Sequence, residues 1–411
     1  MPTRTARGIF AALAVAAAAL SVKAQQSDGG ASGAVVFENA RVIVGDGSAP
    51  IESARLVVEG SRIVAVGPAD DVDAPQGADV VDLGGLIVMP ALVDTHTHLS
   101  RTRDELIEDL RQRARFGVGA AASLGQDEEL AFEIRDEDIP GAARFYTAGR
   151  GITTPEPGRS DIPYWITTAD EGRAAVRELA ERDVDIVKIW VDDRNGQYEK
   201  LSPELYRAII DEAHRHGLKV TAHIYNLSDA KELLRAGLDA FAHGIRDTDV
   251  DDEVIELFKM RPDVVLVPNL PDPGVPVDLR WLQGRIPAET LERLAAASTE
   301  RPEAQAAFAI QARNLERLAD EGVTIAMGTD GNSPWAPHLE MEDMVRAGMA
   351  PHDVIVAATR NSAALLGHDG GTIEPGKSAD FVVLEADPLE DITNTRRIAQ
   401  VYLRGEPVEL E

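Results

Sequence analysis

Short apolar segments alternate with helical stretches between residues 91 and 370, and this alternation limits the folds that the chain can adopt. A buried strand, a helix and another buried strand in succession are typical of a parallel sheet with helices outside it. Eight such units predict an α/β fold of the (β/α)8 TIM-barrel type. The predicted strands are 91–96, 118–124, 143–149, 184–190, 218–223, 239–243, 263–268 and 323–329.

Capping residues mark several of the helices between these strands. Thr168 and Glu171 have the spacing of a capping box, which starts a helix that runs through Arg182. Ser202 followed by Pro203 starts another helix. Farther along, the alanine-rich residues 287–321 predict one long helical region.

The two ends of the chain have a pattern typical of β-strands, with short apolar runs between turn residues. The C-terminal runs have no partners of their own in sequence, so we predict that 34–90 and 371–411 together form a small β-sandwich domain beside the barrel 91–370. Residues 56–58 and 63–66 predict a β-hairpin within it. The runs are 56–58, 63–66, 80–81, 86–88, 381–384 and 398–403.

Residues 1–24 have the composition of an export signal. Arg4 and Arg7 precede the apolar, alanine-rich stretch 9–22, and Ala24 ends a small-residue cleavage site. The apolar stretch is short for a membrane span, so we expect cleavage after Ala24 and a periplasmic or secreted chain without a membrane anchor. Residues 25–33 are a polar, glycine-rich linker.

The composition excludes several classes of function. The formal net charge is −29, which argues against nucleic acid and anionic membrane surfaces as partners and otherwise favours solubility. The chain has no cysteine, so disulfides, thiolate nucleophiles and cysteine-ligated metals are excluded. Oligomeric state stays open, a homo-oligomer included.

Two His-x-His pairs occur, and their predicted contexts separate them. His214 and His216 fall late in a helix, where residues two apart point to different faces. We interpret that pair as structural, near a helix C-terminus. His96 and His98 end an apolar strand, so both imidazoles can point to the barrel axis at the face where barrel active sites lie.

Polar residues recur at the ends of later strands. His223, His243 and Asp330 each follow an apolar run, and Lys188 lies inside the very apolar segment 184–190. A lysine buried in such a segment must be paired or neutral, because burying a bare charge is costly. The recurrence predicts that these side chains form one site with the His96–His98 pair.

The chain resembles the amidohydrolase superfamily, and most of all the imidazolonepropionase-like proteins and metal-dependent, prolidase-like dipeptidases. The resemblance covers nearly the whole chain after the export signal and is carried by Val-Asp-Thr-His-Thr-His at 93–98 and by the segment 371–380. Ala91 is a small departure, since the family often has glycine after the residue equivalent to Pro90.

The resemblance implies a centre of two divalent metal ions, with zinc expected. His96, His98 and Asp330 would hold the more buried ion, and His223 and His243 the second. Lys188 would carry CO2 as N6-carboxylysine and bridge both. A hydroxide between the ions would attack a carbonyl, and Asp330 would move its proton to the leaving nitrogen.

The sequence indicates less clearly which residues contact the substrate. Tyr225 and Arg246, shortly after His223 and His243, are candidates to bind a substrate carboxylate, although packing for Tyr225 and a salt bridge from Arg246 to Asp247 or Asp249 are alternatives. We interpret three further residues at the same face as solvated loop residues: Asp192, Asp193 and His338.

These features predict an exported hydrolase that cleaves the amide C–N bond of a small carboxylated substrate such as a dipeptide or an N-acyl amino acid. Hydrolysis of a lactone, carbamate or urea would use the same hydroxide. A mononuclear deaminase would lack the bridging lysine, and a non-catalytic binding protein would lack ligands that this chain retains.

Overall fold

The computed structural model describes residues 33–99 and 102–410. The predicted export signal, 1–24, and nearly all of the predicted linker, 25–33, lie outside these residues and stay predictions. No helix in the described part is long and apolar enough to cross a membrane.

Five strands open the described chain. The predicted hairpin is confirmed: β2 and β3 pair antiparallel, with Val58 opposite Ile63. Gly60 in its tight turn has a φ of +54°, a left-handed conformation that glycine adopts without steric cost. The strands are β1 Ala34–Val42, β2 Ile51–Glu59, β3 Arg62–Pro68, β4 Asp79–Asp82 and β5 Ile87–Pro90.

Ten strands follow, all paired in parallel, and they confirm the α/β class. Each predicted strand has a counterpart, and two very short strands, β9 and β10, are additional. The strands are β6 Leu92–Thr97, β7 Val118–Ser123, β8 Arg144–Thr147, β9 Ile152–Thr153, β10 Tyr164–Trp165, β11 Val187–Val191, β12 Val220–Ile224, β13 Ala240–Ala242, β14 Val265–Val267 and β15 Thr324–Ile325.

These ten strands form two parallel sheets that adjoin one another. One sheet is β6-β7-β8, and the other has the order β10-β9-β11-β12-β13-β14-β15. Thr95 N donates to Met327 O at 3.1 Å, and Asp185 N donates to Thr147 O at 3.1 Å. Backbone hydrogen bonds therefore connect β6 to the segment that follows β15, and β8 to the segment that precedes β11.

Helices pack between and around the strands. The capping predictions are confirmed, since Glu171 N donates to Thr168 Oγ1 at 3.3 Å and Leu205 N to Ser202 Oγ at 3.4 Å. The α-helices are α1 Arg103–Arg115, α2 Glu129–Arg135, α3 Ala169–Glu181, α4 Pro203–Arg215, α5 Leu227–Ala236, α6 Asp252–Lys259, α7 Ala288–Ala297, α8 Pro302–Asp320, α9 Ala336–Arg346, α10 Pro351–Val356 and α11 Ser362–Leu366.

The alanine-rich region 287–321 is helical but divided into α7 and α8. Ser298 leaves the helical conformation, with φ −79° and ψ 82°, and its hydroxyl accepts a hydrogen bond from Val277 N at 2.7 Å. Pro302 then starts α8, where the missing N–H of proline costs nothing. None of the residues of α7 is buried, so this helix lies on the surface.

Three strands end the chain: β16 Phe381–Leu384, β17 Ile398–Leu403 and β18 Glu406–Pro407. β16 pairs antiparallel with β5, which places Val383 opposite Val88. The resulting sheet has the order β18-β17-β16-β5-β1-β2-β3, with β4 beside β1. Strands from both chain ends thus share one eight-stranded sheet, and the arrangement of these strands as a sandwich stays a prediction.

An aromatic cluster joins the two chain ends within this sheet. The ring centroid of Phe381 lies 5.2 Å from that of Phe37 in an edge-on contact and 4.8 Å from that of Tyr402 in a stacked one. Phe381 is fully buried. Aromatic pairs in these geometries add to the stabilisation from buried area, so the cluster fixes the C-terminal strands to the N-terminal ones.

Replacement of Phe381 by alanine should lower the free energy of unfolding by about 3–5 kcal/mol, because the substitution leaves a cavity between strands distant in sequence. Urea denaturation followed by circular dichroism measures this loss. Val64→Ala, at a position of β3 that is 39% exposed, is the matched control and should have a small effect. Equal losses in the two variants would contradict the assigned role of the cluster.

Candidate metal centre

The carboxylate of Asp330 lies among three histidines at strand ends. Asp330 Oδ1 is 2.9 Å from His98 Nε2 and 3.3 Å from His96 Nε2, and Oδ2 is 3.6 Å from His243 Nε2. His96 and His243 are fully buried, whereas the side chain of His98 is 26% exposed. Ligand atoms of His96, His243 and Asp330 all lie within 4.8 Å of one another, a spacing that one metal ion could bridge.

The backbone around Asp330 is shaped to deliver this carboxylate. Asp330 has a φ of +50°, uncommon for a residue with a side chain, and its N–H donates to His96 O at 2.7 Å. At Gly328, a Cβ atom would lie 2.8 Å from His96 Cβ and 2.6 Å from Val267 Cγ1. Only glycine permits this close approach, which brings the segment that follows β15 against β6.

Lys188 on β11 points into the same cluster. Its Nζ lies 3.5 Å from His96 Nε2, and no carboxylate of the described chain forms an ion pair with it within 4.0 Å. Burial lowers the pKa of Lys188 to about 7, and the negative charge of Asp330 offsets only part of that effect. Burial therefore favours the neutral form of this amine.

His223 and His243, at the ends of β12 and β13, lie side by side with ring centroids 4.4 Å apart. His223 differs from the other histidines, because its Nε2 contacts Asp192 Oδ2 at 2.9 Å rather than Asp330. Burial lowers the pKa of His223 to about 4, and burial also holds the pKa values of His96 and His243 well below the usual range. These imidazoles are neutral, which is the form that binds metals.

Asn269 belongs to the centre and was not predicted. Its Nδ2 lies 2.8 Å from His96 Nδ1 and 3.5 Å from His243 Nδ1, and its Oδ1 is buried without a hydrogen-bond partner in the described structure. Because a neutral imidazole whose Nδ1 accepts a hydrogen bond carries its proton on Nε2, either ring could bind a metal through Nε2 only with the amide reversed, so that Oδ1 accepts from Nδ1–H. Asn269 stands two residues past Val267, the last residue of β14. That position, just after a strand, resembles the position of His243 just after β13, and it was the available sequence signal.

Asp94 and Arg113 form a buried ion pair beneath the centre. Both side chains are fully buried, with Asp94 Oδ2 at 3.3 Å from Arg113 Nη1. Asp94 Oδ1 accepts hydrogen bonds from Thr329 N at 3.1 Å and His96 N at 3.2 Å. The carboxylate thus connects the strand that carries His96 to the residue that precedes Asp330.

Arg246 reaches the site without a carboxylate partner of its own. Its Nε is buried and has no hydrogen-bond partner in the described structure, and its backbone N–H donates to Tyr225 O at 3.0 Å. The alternative salt bridges do not form, because Asp247 accepts from Leu227 N and Asp249 pairs with another arginine. Tyr225 is 40% exposed, so its side chain is not packed in the core.

The remaining histidine candidates lie away from the centre. His214 Nε2 contacts Asp239 Oδ2 at 2.9 Å at the end of α4, in line with a structural role. The expectation that His338 is a solvated loop residue is wrong: it lies in α9, fully buried, with Nε2 2.9 Å from Phe116 O.

Asp192 and Asp193 follow β11, and they differ from each other. The expectation of a solvated residue is also wrong for Asp192, whose side chain is only 12% exposed and contacts His223. Asp193 Oδ1 accepts a hydrogen bond from Gly196 N at 3.0 Å, a contact within the loop. Asp192 therefore belongs to the neighbourhood of the centre.

Comparison with known proteins agrees with this geometry. Residues 87–408 match the model of the amidohydrolase family. Ochratoxinase from Aspergillus niger is 28% identical over 411 aligned residues, which cover 85% of this chain and 81% of the relative. Imidazolonepropionase from Geobacillus thermodenitrificans is 27% identical, with 82% and 84% covered. A Bifidobacterium longum structure assigned as a prolidase has a TM-score of 0.77 and 28% identity, with 91% and 94% covered.

Replacement of Arg113 by methionine should lower the free energy of unfolding by about 3–5 kcal/mol, because it leaves the Asp94 carboxylate buried without its cation. Chemical denaturation measures the loss. Arg103→Met, on the same helix α1 but in an exposed ion pair with Glu137, is the matched control and should change stability little. Similar losses in both variants would show that the buried ion pair stabilises the fold no more than the exposed one does.

Proposed function

The chain belongs to the amidohydrolase family, whose members here include hydrolases of C–N bonds, and we propose that it cleaves the amide bond of a small carboxylated substrate. A dipeptide or an N-acyl amino acid is the expected substrate class. The observation that carries this proposal is the contact of the Asp330 carboxylate with three histidines, beside a buried lysine that has no anionic partner.

Two divalent cations, zinc foremost, fit the donor set of this centre. His96, His98 and Asp330 would hold the more buried ion, and His223 and His243 the second. Two observations support the fit: the buried imidazoles are neutral, and Nδ1 of His98 is buried without a hydrogen-bond partner in the described structure. When bound, such ions would activate water and polarise a carbonyl group.

Lys188 would join this centre as a carbamate. Its neutral amine can attack CO2, so that a new N–C bond forms, one proton is released and a carboxylate replaces the amine. The absence of an ion pair within 4.0 Å in the described structure and the lowered pKa of Lys188 support this reaction. The product would supply the negative charge that two cations between four neutral histidines require.

Asp330 is the residue that we assign to proton transfer. Burial raises its pKa, but the hydrogen bond from His98 opposes that effect, and the pKa stays below its ordinary value. The carboxylate is thus ionised at neutral pH and can accept a proton from the attacking water. It would then deliver that proton to the leaving nitrogen.

Arg246 and Tyr225 would bind the substrate's carboxylate. A guanidinium with a buried, unpartnered Nε can bind a carboxylate through two parallel hydrogen bonds. The half-exposed phenol of Tyr225 lies on the neighbouring loop, where it can donate one more hydrogen bond. The pair would orient the substrate so that its amide faces the Asp330 carboxylate.

The supporting framework would be one closed (β/α)8 barrel. The hydrogen bonds from Thr95 to Met327 and from Asp185 to Thr147 support this reading, because they connect both edges of the β6-β7-β8 sheet to the longer sheet. In a closed barrel, the four histidines and Asp330 would lie at or just beyond the C-terminal ends of their strands, where barrel enzymes carry their active sites, and Lys188 would approach them from inside β11.

A zinc-loaded preparation should hydrolyse members of a dipeptide and N-acyl amino acid library, and Asp330→Asn should lower kcat/KM by about 10²–10⁴-fold, because proton transfer is lost. Release of the amino acid product measures the reaction. Asp249→Asn, an exposed aspartate paired with Arg313, is the control and should keep full activity.

Lys188→Ala tests the same assignment in the same assay and should also abolish most of the activity. Full activity in Lys188→Ala, or purified protein without stoichiometric metal, would contradict the proposal. Hydrolysis confined to nucleobase analogues would contradict the amide substrate and favour a deaminase.

Arg246→Met should raise KM for a carboxylated substrate by about tenfold or more and change kcat less, because binding of the carboxylate is not specific to the transition state. Steady-state kinetics measure both constants. The carboxamide analogue of the same substrate is the matched control, since its KM should not respond to this substitution. If KM for the two compounds rises equally, Arg246 does not bind the carboxylate.

A further inference from the structure

The metal-binding face of His223 is held by two residues that follow β11. Asp192 Oδ2 lies 2.9 Å from His223 Nε2, and Arg194 Nη1 lies 3.2 Å from the same nitrogen and 2.9 Å from the same carboxylate oxygen. Asp192, His223 and Arg194 are only 11–17% exposed. Because a carboxylate only accepts hydrogen bonds, His223 Nε2 donates to Asp192, and the guanidinium cation of Arg194 lies beside that nitrogen.

The loop that carries Arg194 is shaped to hold this position. Arg194 and Asn195 have φ values of +53° and +59°, and Gly196 follows with +78°. Left-handed conformations are costly for arginine, so surrounding contacts must hold the loop in place. Arg194 N donates to Asp192 Oδ1 at 2.9 Å, which fixes the backbone of the arginine to the carboxylate that its side chain contacts.

Glu156 anchors the arginine from the other side. Its Oε1 lies 3.4 Å from Arg194 Nε, and its side chain is 6% exposed. The other oxygen of Glu156 binds Arg159, whose side chain is 49% exposed, at 2.8 Å. The guanidinium of Arg194 is thus held between two carboxylates and directed at His223, whereas Arg159 shares Glu156 on the solvent side.

We propose that Arg194 is a tethered cation that competes with the second metal ion for His223. This inference rests on the two-metal reading of the proposed function. A metal ion can bind His223 Nε2 only when that nitrogen gives up the proton that it donates to Asp192 and the guanidinium withdraws, because a cation 3.2 Å from the ligand atom repels the ion. The subsite of His223 and His243 therefore fills after the subsite of His96, His98 and Asp330, and more weakly.

The consequence is a centre whose metal content depends on free metal concentration. At low concentration the buried subsite holds one ion and Arg194 stays on His223. At higher concentration the second ion displaces Arg194, which loses charge-assisted hydrogen bonds that are each stronger than neutral ones. Arg194 is thus a positioning residue, which acts on the reaction through His223.

Equilibrium dialysis of metal-free protein against chelator-buffered Zn²⁺ tests the proposal without any activity measurement. The parent chain should bind a first ion tightly and a second more weakly. Arg194→Gln, which keeps a hydrogen-bond donor for Glu156 but has no charge, should bind the second ion about tenfold to a hundredfold more tightly, with the first unchanged. Arg194→Lys, which keeps the charge, should stay near the parent.

Arg159→Met is the matched control, because it removes the other cation from Glu156 and leaves the contacts of His223 intact. Its two affinities should equal those of the parent. Unchanged second-ion affinity in Arg194→Gln, or the same gain in Arg159→Met, would overturn the role of Arg194 and leave the proposed function standing. If the parent binds no zinc at all, the proposed function fails first. Thermal unfolding verifies that each variant is folded.

Discussion

The carboxylate of Asp94 is the contact on which the rest of the centre depends. It accepts hydrogen bonds from the backbone of His96 and of Thr329, and so fixes the distance between the strand that carries two histidines and the loop that carries Asp330. Burial raises the pKa of Asp94, and the positive charge of Arg113 opposes that effect. The ion pair therefore keeps the Asp94 carboxylate ionised as a hydrogen-bond acceptor in the interior, where burying a carboxylate without a cation would cost too much free energy.

Burial that serves packing also sets the chemistry of the centre. The strands that carry or precede His96, His243 and Lys188 are buried, and desolvation is the largest cause that lowers the pKa of each of these groups. Imidazoles kept neutral are ready to bind cations, and a neutral amine is ready to react with CO2. A half-exposed site with the same side chains would hold protonated groups that repel a metal.

Much of this arrangement could be predicted from the sequence, because strand periodicity and strand ends are local signals. The strands, the hairpin, two helix caps and the convergence of His96, His98, His243, Asp330 and Lys188 all follow from residues within a few positions of one another. The sequence pattern did not reveal contacts between distant segments, such as Asn269 with His96 or Arg113 with Asp94. The break at Ser298 likewise depends on Val277, which lies 21 residues away.

Asp192 shows the same limit most clearly, because neighbouring residues gave no reason to place a charged loop residue against His223. Its position depends on the left-handed turn at 194–196 and on Glu156, both of which require the folded loop. Two arginines consequently face the centre, and they act in opposite directions. In the proposed function, the guanidinium of Arg246 would offer an anionic substrate a local cation in a chain of net charge −29, while that of Arg194 lies 3.2 Å from His223 Nε2. By the same proposals, Arg246, which has no carboxylate partner in the described structure, would favour an anionic substrate, whereas Arg194, held by Asp192 and Glu156, would disfavour the second ion.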